Sequence, residues 1–223
     1  MGLDSYLDRM PRFRNATAKD VSTITSYLDW LKARDAGSEY ANCDFKEWSG
    51  EDMPRSDYLD FYATFYEEKY PEWDKEKKYG YYQIMDDVGY WRKANSIHNW
   101  FVQNVQDGID DCQYHHEVTK EKLEELLEVC RRVLSSCELV DGQISDGYQY
   151  VDGVRTQIMT NGKYVKNPAI AEELLPARSG FFFGGTDYDE YYVGDLVHTM
   201  EIVQKVLDTT DFKTQMVYYV SSW

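Results

Sequence analysis

The sequence has no apolar run long enough to cross a lipid bilayer, and its first eight residues lack the basic and apolar regions of a secretory signal peptide. Cysteine is scarce, and Cys43, Cys112, Cys130 and Cys137 are widely and irregularly spaced, without a CxxC pair. This spacing argues against a zinc site and against a disulfide framework. We therefore expect a cytoplasmic protein with reduced thiols, no metal and no cofactor.

Basic residues are also outnumbered, because 24 Lys and Arg stand against 40 Asp and Glu, which gives a formal net charge of −16 at pH 7. Such a surface repels nucleic-acid phosphates and anionic lipids, so neither direct nucleic-acid binding nor membrane binding is expected. The same charge could occupy a basic groove on another protein, including a groove that normally holds DNA. It could equally serve only to keep the chain soluble.

At 223 residues the chain is long enough to bury a sizeable core. We interpret it as one domain, 1–223, with candidate inserted segments at 36–78 and 141–167. Aromatic residues make up 16% of the chain, and 20 of them are tyrosines. Tyrosine combines a large apolar ring with a polar tip, so this composition suits either a core built from rings or a binding surface.

The hydrophobic pattern predicts an α+β fold, with about five helices packed on a small sheet. Thr17 and Asp20 resemble a capping box at the start of the first helix. The sheet is predicted to contain an N-terminal strand at 3–7, a strand at Phe181–Phe183 and a C-terminal strand at 217–220. The further predicted helices span 56–71, 86–105, 119–135 and 169–175. One more helix is predicted after them, capped by Thr186 or Asp187 and ending near 207. The excursion at 141–167 has a weak alternation that fits a hairpin or a mobile loop.

Two segments, 89–102 and 179–189, carry more polar groups than a plain core needs. Gly184 and Gly185 precede a helix start, where free backbone N–H groups can bind an anion, although the sequence has neither GxGxxG spacing nor a GK[ST] triplet. A tight turn closed by its own aspartates is the competing interpretation, as is a hydrogen-bonded core position for His98. If these segments form a pocket for a small polar ligand, its residues are Trp91, Arg92, Lys93, His98, Arg178, Gly184, Gly185 and Thr186.

The densest group of potential metal ligands lies between the third and fourth predicted helices. It consists of Asp110, Asp111, His115, His116 and Glu117. Adjacent residues project in different directions, and no second ligand set such as HExxH exists elsewhere in the sequence. A solvated loop is the simpler interpretation, and a metal-dependent hydrolase using these residues is the third functional hypothesis.

The predicted second helix has an aromatic stripe surrounded by acids. The stripe is either core packing or a docking face, and the docking interpretation predicts a partner-binding surface made of Tyr58, Tyr62, Tyr66, Glu67, Glu68, Tyr70, Glu72 and Asp74.

Several of these segments together resemble a family of small, uncharacterised proteins of bacteriophages and prophages, chiefly of Gram-positive hosts. The resemblance rests on 1–7, 89–102, 107–112, 174–176 with 179–189, and the ending 218–223. It brings no catalytic motif, and it does not extend to 36–78 or 141–167, where any activity specific to this chain is expected. Small phage accessory proteins are often inhibitors of host defences, so the resemblance, combined with the acidity and the tyrosines, favours a binding protein over an enzyme. We expect this protein in the cytoplasm of the host cell.

Three functional hypotheses follow. The first is a non-enzymatic inhibitor that binds and blocks a host anti-phage defence protein, such as a CRISPR nuclease, through the acidic, tyrosine-rich surface. The second is a small-ligand or nucleotide-signal binding protein, a sponge, that uses the cationic and aromatic pocket. The third is the hydrolase.

Overall fold

The computed structural model describes residues 2–12, 15–60, 85–180 and 183–223. Helices and strands are mixed without a repeating βα order, which confirms the predicted α+β class. The strands are β1 (Asp4–Pro11), β2 (Asp86–Arg92), β3 (His116–Val118), β4 (Leu139–Val151), β5 (Val154–Val165) and β6 (Gln215–Ser222). The α-helices with both ends described are α1 (Ala18–Asp35), α2 (Phe45–Ser49), α3 (Asn95–Asn104), α4 (Lys120–Ser136), α5 (Ala169–Leu174) and α6 (Glu190–Thr209).

The two ends of the chain form the centre of the main sheet. Its order is β2–β1–β6–β3, with every neighbouring pair antiparallel. β1 pairs with β6 along its whole length, from Asp4 opposite Ser222 to Pro11 opposite Gln215. The predicted N-terminal and C-terminal strands are therefore both present, each longer than the sequence pattern indicated.

Both faces of this sheet are buried, and β6 shows the division residue by residue. Val217 and Tyr219 belong to the larger core, which α3, α4 and α6 cover, whereas Met216 and Tyr218 belong to a second core beneath α1. Side chains alternate between faces along a strand, so one strand supplies rings and aliphatic groups to both layers. The chain thus forms a three-layer arrangement in which helices lie on either side of the sheet.

The caps of α1 and α4 agree with the sequence. Thr17 accepts from the backbone N–H of Asp20, and the Asp20 carboxylate accepts from the N–H of Thr17, which completes the predicted capping box. Thr119 caps α4 in the same way through the N–H of Lys122. The segment 36–54 is irregular apart from the short helices Glu39–Ala41 and α2.

The predicted helix over 86–105 is wrong in its first half, which is β2. Lys93, with a φ of 61°, separates this strand from α3. Gly89 lies under α6, where a Cβ atom would be 2.5 Å from Cγ2 of Ile202. Pairing with β1 over 4–9 therefore overrides the helical spacing of Tyr90 with the residues of α3.

Two further predictions at the C-terminal half need correction. Phe183 is buried but lies outside any strand, while Phe181 and Phe182 lie outside the described residues; β2 and β3 complete the sheet instead. The last helix is capped neither by Thr186 nor by Asp187. Asp189 is the cap, because its carboxylate accepts from the N–H groups of Tyr191 and Tyr192.

The excursion at 141–167 is an ordered hairpin of β4 and β5. Asp152 and Gly153 form the two-residue loop of this hairpin. Their φ values of 51° and 80° fit a type I′ turn, which is typical of such loops. The hairpin's base is anchored on the start of α6: the N–H of Val165 donates to the Tyr188 carbonyl at 2.8 Å, and Ile144 is buried there. Among the described residues, no helix is both long and apolar enough to span a membrane.

The crowding at Gly89 predicts a specific loss of stability. Gly89→Ala is expected to lower the free energy of unfolding by about 1–3 kcal/mol, since the new methyl overlaps the stiff Ile202 side chain. Gly194→Ala is the matched control: it lies within α6 with nothing within 4 Å of its Cβ position, and should raise stability by about 0.5–1 kcal/mol. Urea denaturation measures both, and equal effects of the two substitutions would contradict the close β2–α6 packing.

Candidate functional site

The predicted tyrosine surface is tested only at its first residue. Tyr58 is 3% exposed and packs in the core under α1, with its hydroxyl donating to the Asn15 carbonyl at 3.3 Å. Its place in a docking face is therefore wrong, because the ring is needed to fill the layer between α1 and the sheet. The other members, Tyr62, Tyr66, Glu67, Glu68, Tyr70, Glu72 and Asp74, lie outside the described residues.

The predicted ligand residues divide into two groups. Arg92, Lys93, Gly184 and Gly185 do line one cleft, of about 460 Å³, between the β2–α3 junction and the start of α6. Trp91, His98, Arg178 and Thr186 are not part of its wall. The sequence thus located the cleft but could not distinguish its lining from the packing behind it.

Trp91 and Thr186 are excluded from the cleft for opposite reasons. Trp91 points inward from β2 and is buried, and its indole N–H donates to Oγ1 of Thr199 on α6 at 2.9 Å. Thr186 is exposed on the turn before α6. Neither contributes to a cationic and aromatic wall.

His98 is at the centre of a buried polar network. Its Nδ1 lies 2.7 Å from the Tyr219 hydroxyl, which is 3.1 Å from Oγ of Ser5, and its Nε2 lies 3.2 Å from Oδ2 of Asp110. The Asp110 carboxylate also accepts from Nη2 of Arg178 at 3.1 Å. The network therefore joins α3, the two central strands, the loop after α3 and the loop before α6.

Burial sets the protonation of this network. Burial lowers the pKa of His98, although Asp110 raises it in part and Arg178 lowers it further, so the imidazole is neutral. A carboxylate only accepts hydrogen bonds, so the neutral ring must carry its proton on Nε2 and accept from Tyr219 at Nδ1. Burial raises the pKa of Tyr219 as well, which keeps that hydroxyl protonated and able to donate.

A series of hydrogen bonds runs from Ser5 through Tyr219 and His98 to Asp110. It resembles a catalytic relay, but no route leads from it to a substrate. Ser5, His98 and Tyr219 are all buried within the core. The Phe183 ring closes one side of the imidazole edge-on, at 5.3 Å between ring centroids. The network is structural, as the core interpretation of His98 predicted.

The proposed metal-ligand cluster is dispersed. Asp111 accepts from Nε2 of His116 at 3.0 Å, whereas His115 contacts Oγ of Ser22 through its Nδ1 at 3.1 Å. Glu117 lies beside Arg12 across the sheet edge. Among the described residues, no group of three or more His, Cys, Asp or Glu side chains could hold a metal ion.

The four cysteines are all free, as their spacing indicated. Burial raises the pKa of Cys130 to about 12, which makes it an inert core thiol. Cys112 is exposed, and no base contacts it among the described residues.

The cleft has a positive end at the start of α3. Arg92 and Lys93 precede this helix, and the Arg92 side chain is 67% exposed, with Nη1 4.0 Å from Oδ1 of Asp4. A pair at that distance and exposure has little energy, and no ion pair joins Lys93 to a described residue, so both cations are available to a ligand. Asn95 fixes the facing turn, because its amide donates to the Gly185 carbonyl at 2.7 Å and accepts from the N–H of Arg178 at 2.9 Å.

The opposite wall is acidic and is formed by the first turns of α6 together with the residues just before them. Asp187, Asp189, Glu190 and Asp195 line it. Burial raises the pKa of Asp189, and burial with the nearby Asp189 charge raises the pKa of Asp195 to about 6, against a smaller opposing effect of His198. The cleft thus holds unlike charges on facing walls.

The hairpin is the functional candidate that the sequence interpretation left undefined. All residues from 146 to 159 are exposed. They include the apolar side chains Tyr148, Tyr150, Val151, Val154, Ile158 and Met159. The alternation within 141–167 was a usable signal for the two strands. It could not show that the hairpin extends away from the core, with both of its faces exposed.

The comparisons with known proteins add no relative. No protein-family model, no curated protein and no solved structure matches the chain.

The buried network predicts a cost for losing one hydroxyl. Tyr219→Phe leaves Nδ1 of His98 without a donor, so the free energy of unfolding is expected to fall by about 1–3 kcal/mol. Tyr191→Phe, at an exposed position on α6, should change it by less than about 0.5 kcal/mol. Chemical denaturation of both variants tests this, and a Tyr219→Phe protein as stable as the wild type would contradict the network's structural role.

Asp195 predicts a pH dependence of stability. Its pKa is raised from 3.8 to about 6 in the folded protein, so folding favours the protonated carboxyl. This contribution is complete below pH 3.8 and is lost as the pH rises through about 6. Asp195→Asn should therefore stabilise the protein at pH 7.5 by at most about 3 kcal/mol and have little effect at pH 4.

Thermal unfolding at the two pH values measures this difference. Asp208→Asn, at an exposed position near the end of α6, is the control for the loss of one carboxylate from the same helix. An Asp195→Asn effect of equal size at both pH values would contradict the raised pKa.

Proposed function

We propose that the protein is a non-enzymatic inhibitor that binds and blocks a host anti-phage defence protein, and that the exposed part of the hairpin, 146–159, makes the contact. We call this part the hairpin tip. The observation that carries the proposal is the row of apolar side chains on this tip. The phage context comes from the sequence resemblance, and the expectation of a basic partner comes from the net charge of −16.

The tip presents apolar groups on both of its faces. Directly opposed residues share a face, so the pairs Tyr148–Gln157 and Tyr150–Arg155 place both tyrosines on one side, where Arg155 lies 3.8 Å over the Tyr148 ring. Val151 and Val154 oppose each other on the other side, and Ile158 lies on that same face. A two-stranded hairpin is at best marginally stable when alone in water, so a tip rich in apolar groups is best explained by a partner that covers it.

The chemistry of the tip favours protein recognition. Tyrosine and valine side chains supply contact area, and both outer edges of the tip have backbone groups able to pair with another strand. Tyr150 is the most exposed of its large apolar side chains, at 75%. Buried aromatic anchors of this kind carry most of the energy in protein interfaces.

Small-ligand binding is the second candidate function. The specific observation that favours it is the cleft that gathers Arg92, Lys93, Gly184 and Gly185. The two functions use different surfaces, since the cleft touches the hairpin only at its base, through Ser145. They can therefore be tested separately.

The test of the proposed function is a tip variant assayed for protection of phage. Tyr150→Ser combined with Val154→Ser removes two exposed anchors that have no core contacts. In host cells that carry their defence systems, the wild-type protein should restore plaque formation, and the double variant should lose affinity for the target by about 30-fold or more. Binding of the purified target, measured by surface plasmon resonance, gives this ratio directly.

The matched control is Ile109→Ser combined with Val197→Ser, which removes two exposed apolar side chains that are not part of the tip. This protein should inhibit like the wild type. A tip variant that restores plaque formation as well as the wild type would contradict the proposal. Raising the salt concentration should weaken target binding by the wild type and by both variants. Salt screens the attraction between an acidic protein and a basic partner.

A further inference from the structure

We propose that the cleft between the β2–α3 junction and the start of α6 binds a small zwitterion. Its acidic group, a carboxylate or a phosphate, would lie at the first turn of α3, and its ammonium group would lie against the acidic wall of α6. This site is separate from the partner contact at the hairpin tip.

The anion half of the site is an open helix start. The N-cap of α3 is Ala94, which offers no side-chain acceptor to the first turn. The N–H of Asn95 donates to the Lys93 carbonyl and that of His98 to the Ala94 carbonyl, whereas the N–H groups of Ser96 and Ile97 have no acceptor among the described residues. Such free donors, together with the helix dipole, favour an anion.

Ser96 is the independent observation that points to a ligand. It is 2% exposed and lines the cleft, yet its hydroxyl has no hydrogen-bond partner within the described chain. Buried hydroxyls are nearly always hydrogen-bonded, so a ligand in the cleft can supply the partner that the described chain does not. The positive side chains of Lys93 and Arg92 lie at the same end.

The requirement for a positive group comes from the opposite wall. Asp195 is less exposed than Asp187 and Glu190, and no hydrogen bond or ion pair joins its carboxylate to the described residues. Asp189 is bound to the N–H groups of its own helix, and Glu190 accepts from the N–H of Lys163 at 3.1 Å. Asp187 is exposed and also has no such partner among the described residues, so Asp195 is the half-buried acid of this wall that can receive an ammonium group.

The shape and charge of the cleft limit the ligand. A volume of about 460 Å³ lies within the usual range for small-molecule sites. A plain anion would be repelled by the α6 wall, and a plain cation by Arg92 and Lys93. A molecule that carries both charges satisfies both walls at once.

The experiment is an NMR titration of the ¹⁵N-labelled full chain at pH 7.5, above the raised pKa of Asp195. The probes are O-phosphoethanolamine and 4-aminobutyrate, compared with inorganic phosphate, acetate and ethanolamine. At least one zwitterion should shift the amide signals of Ser96 and Ile97 in a saturable way. It should bind about 10-fold or more tightly than the matched singly charged probes. Which of the two binds identifies the acidic group as phosphate or carboxylate.

Two variants test the two halves of the site. Ser96→Ala should weaken the zwitterion about 10-fold, because it removes one hydrogen bond to a charged group. Asp195→Asn should reduce the affinity of the zwitterion to that of phosphate or acetate. Ser135→Ala and Asp208→Asn, both at exposed positions, are the controls and should bind like the wild type.

A further variant tests the anion half of the site without changing the buried Ser96, so the test stands even if Ser96→Ala does not fold. Lys93→Asn removes the charge while keeping a residue that tolerates the φ of 61°, and it should also weaken zwitterion binding. The hairpin-tip variant should bind the zwitterion normally, so a failure of the partner proposal leaves this result unchanged.

Three results would overturn the proposal. The first is the absence of saturable shifts at Ser96 and Ile97 with either zwitterion at millimolar concentration. The second is phosphate or acetate binding as tightly as the matched zwitterion. The third is unchanged affinity in a folded Ser96→Ala protein.

Discussion

The pairing of β1 with β6 is the constraint on which the rest of the structure depends. Eight pairs of opposed residues join the first and last strands of the chain, and β2 and β3 add to their outer edges. Because both faces of this central pair are buried, α1 packs on one side while α3, α4 and α6 pack on the other. The buried contacts of Tyr219 with His98 and Ser5 then fix α3 against the sheet. These contacts therefore set the position of the start of α3, which forms one side of the cleft.

This arrangement places two unlike surfaces around the start of α6. The cleft lies between that helix and the β2–α3 junction, and the hairpin is anchored by Val165 and Lys163 on residues 188–190. The rigid base carries an exposed apolar tip, whereas the cleft is polar with opposed charges. A protein partner and a small zwitterion therefore suit different parts of one scaffold. Ser145, on the hairpin base and in the cleft wall, is the point where binding at one could affect the other.

Local patterns in the sequence were sufficient for some elements and insufficient for others. The capping box of Thr17 and the apolar stripe of α4 are local features, so the start of α1 and both ends of α4 were predicted nearly to the residue. The strand β2 was mistaken for a helix, since its conformation depends on pairing with residues of β1 that lie 77 to 88 positions away in the chain. The cleft residues Arg92 and Lys93 were predicted, but Ser96 and Asp195 were missed, because their place in the cleft wall becomes visible only in three dimensions. Tyr58 was misplaced because an aromatic stripe has the same spacing in a core as on a docking face.

Hydrogen–deuterium exchange of the complex with its target tests the central claim most directly. The claim is that the protein acts by binding and that the hairpin tip at 146–159 is the contact. Exchange of the free and target-bound protein should differ chiefly in peptides from this tip, which should become protected on binding, while peptides from α1 and α4 stay unchanged. Protection confined to other segments, with the tip exchanging as fast in the complex as in the free protein, would contradict the account.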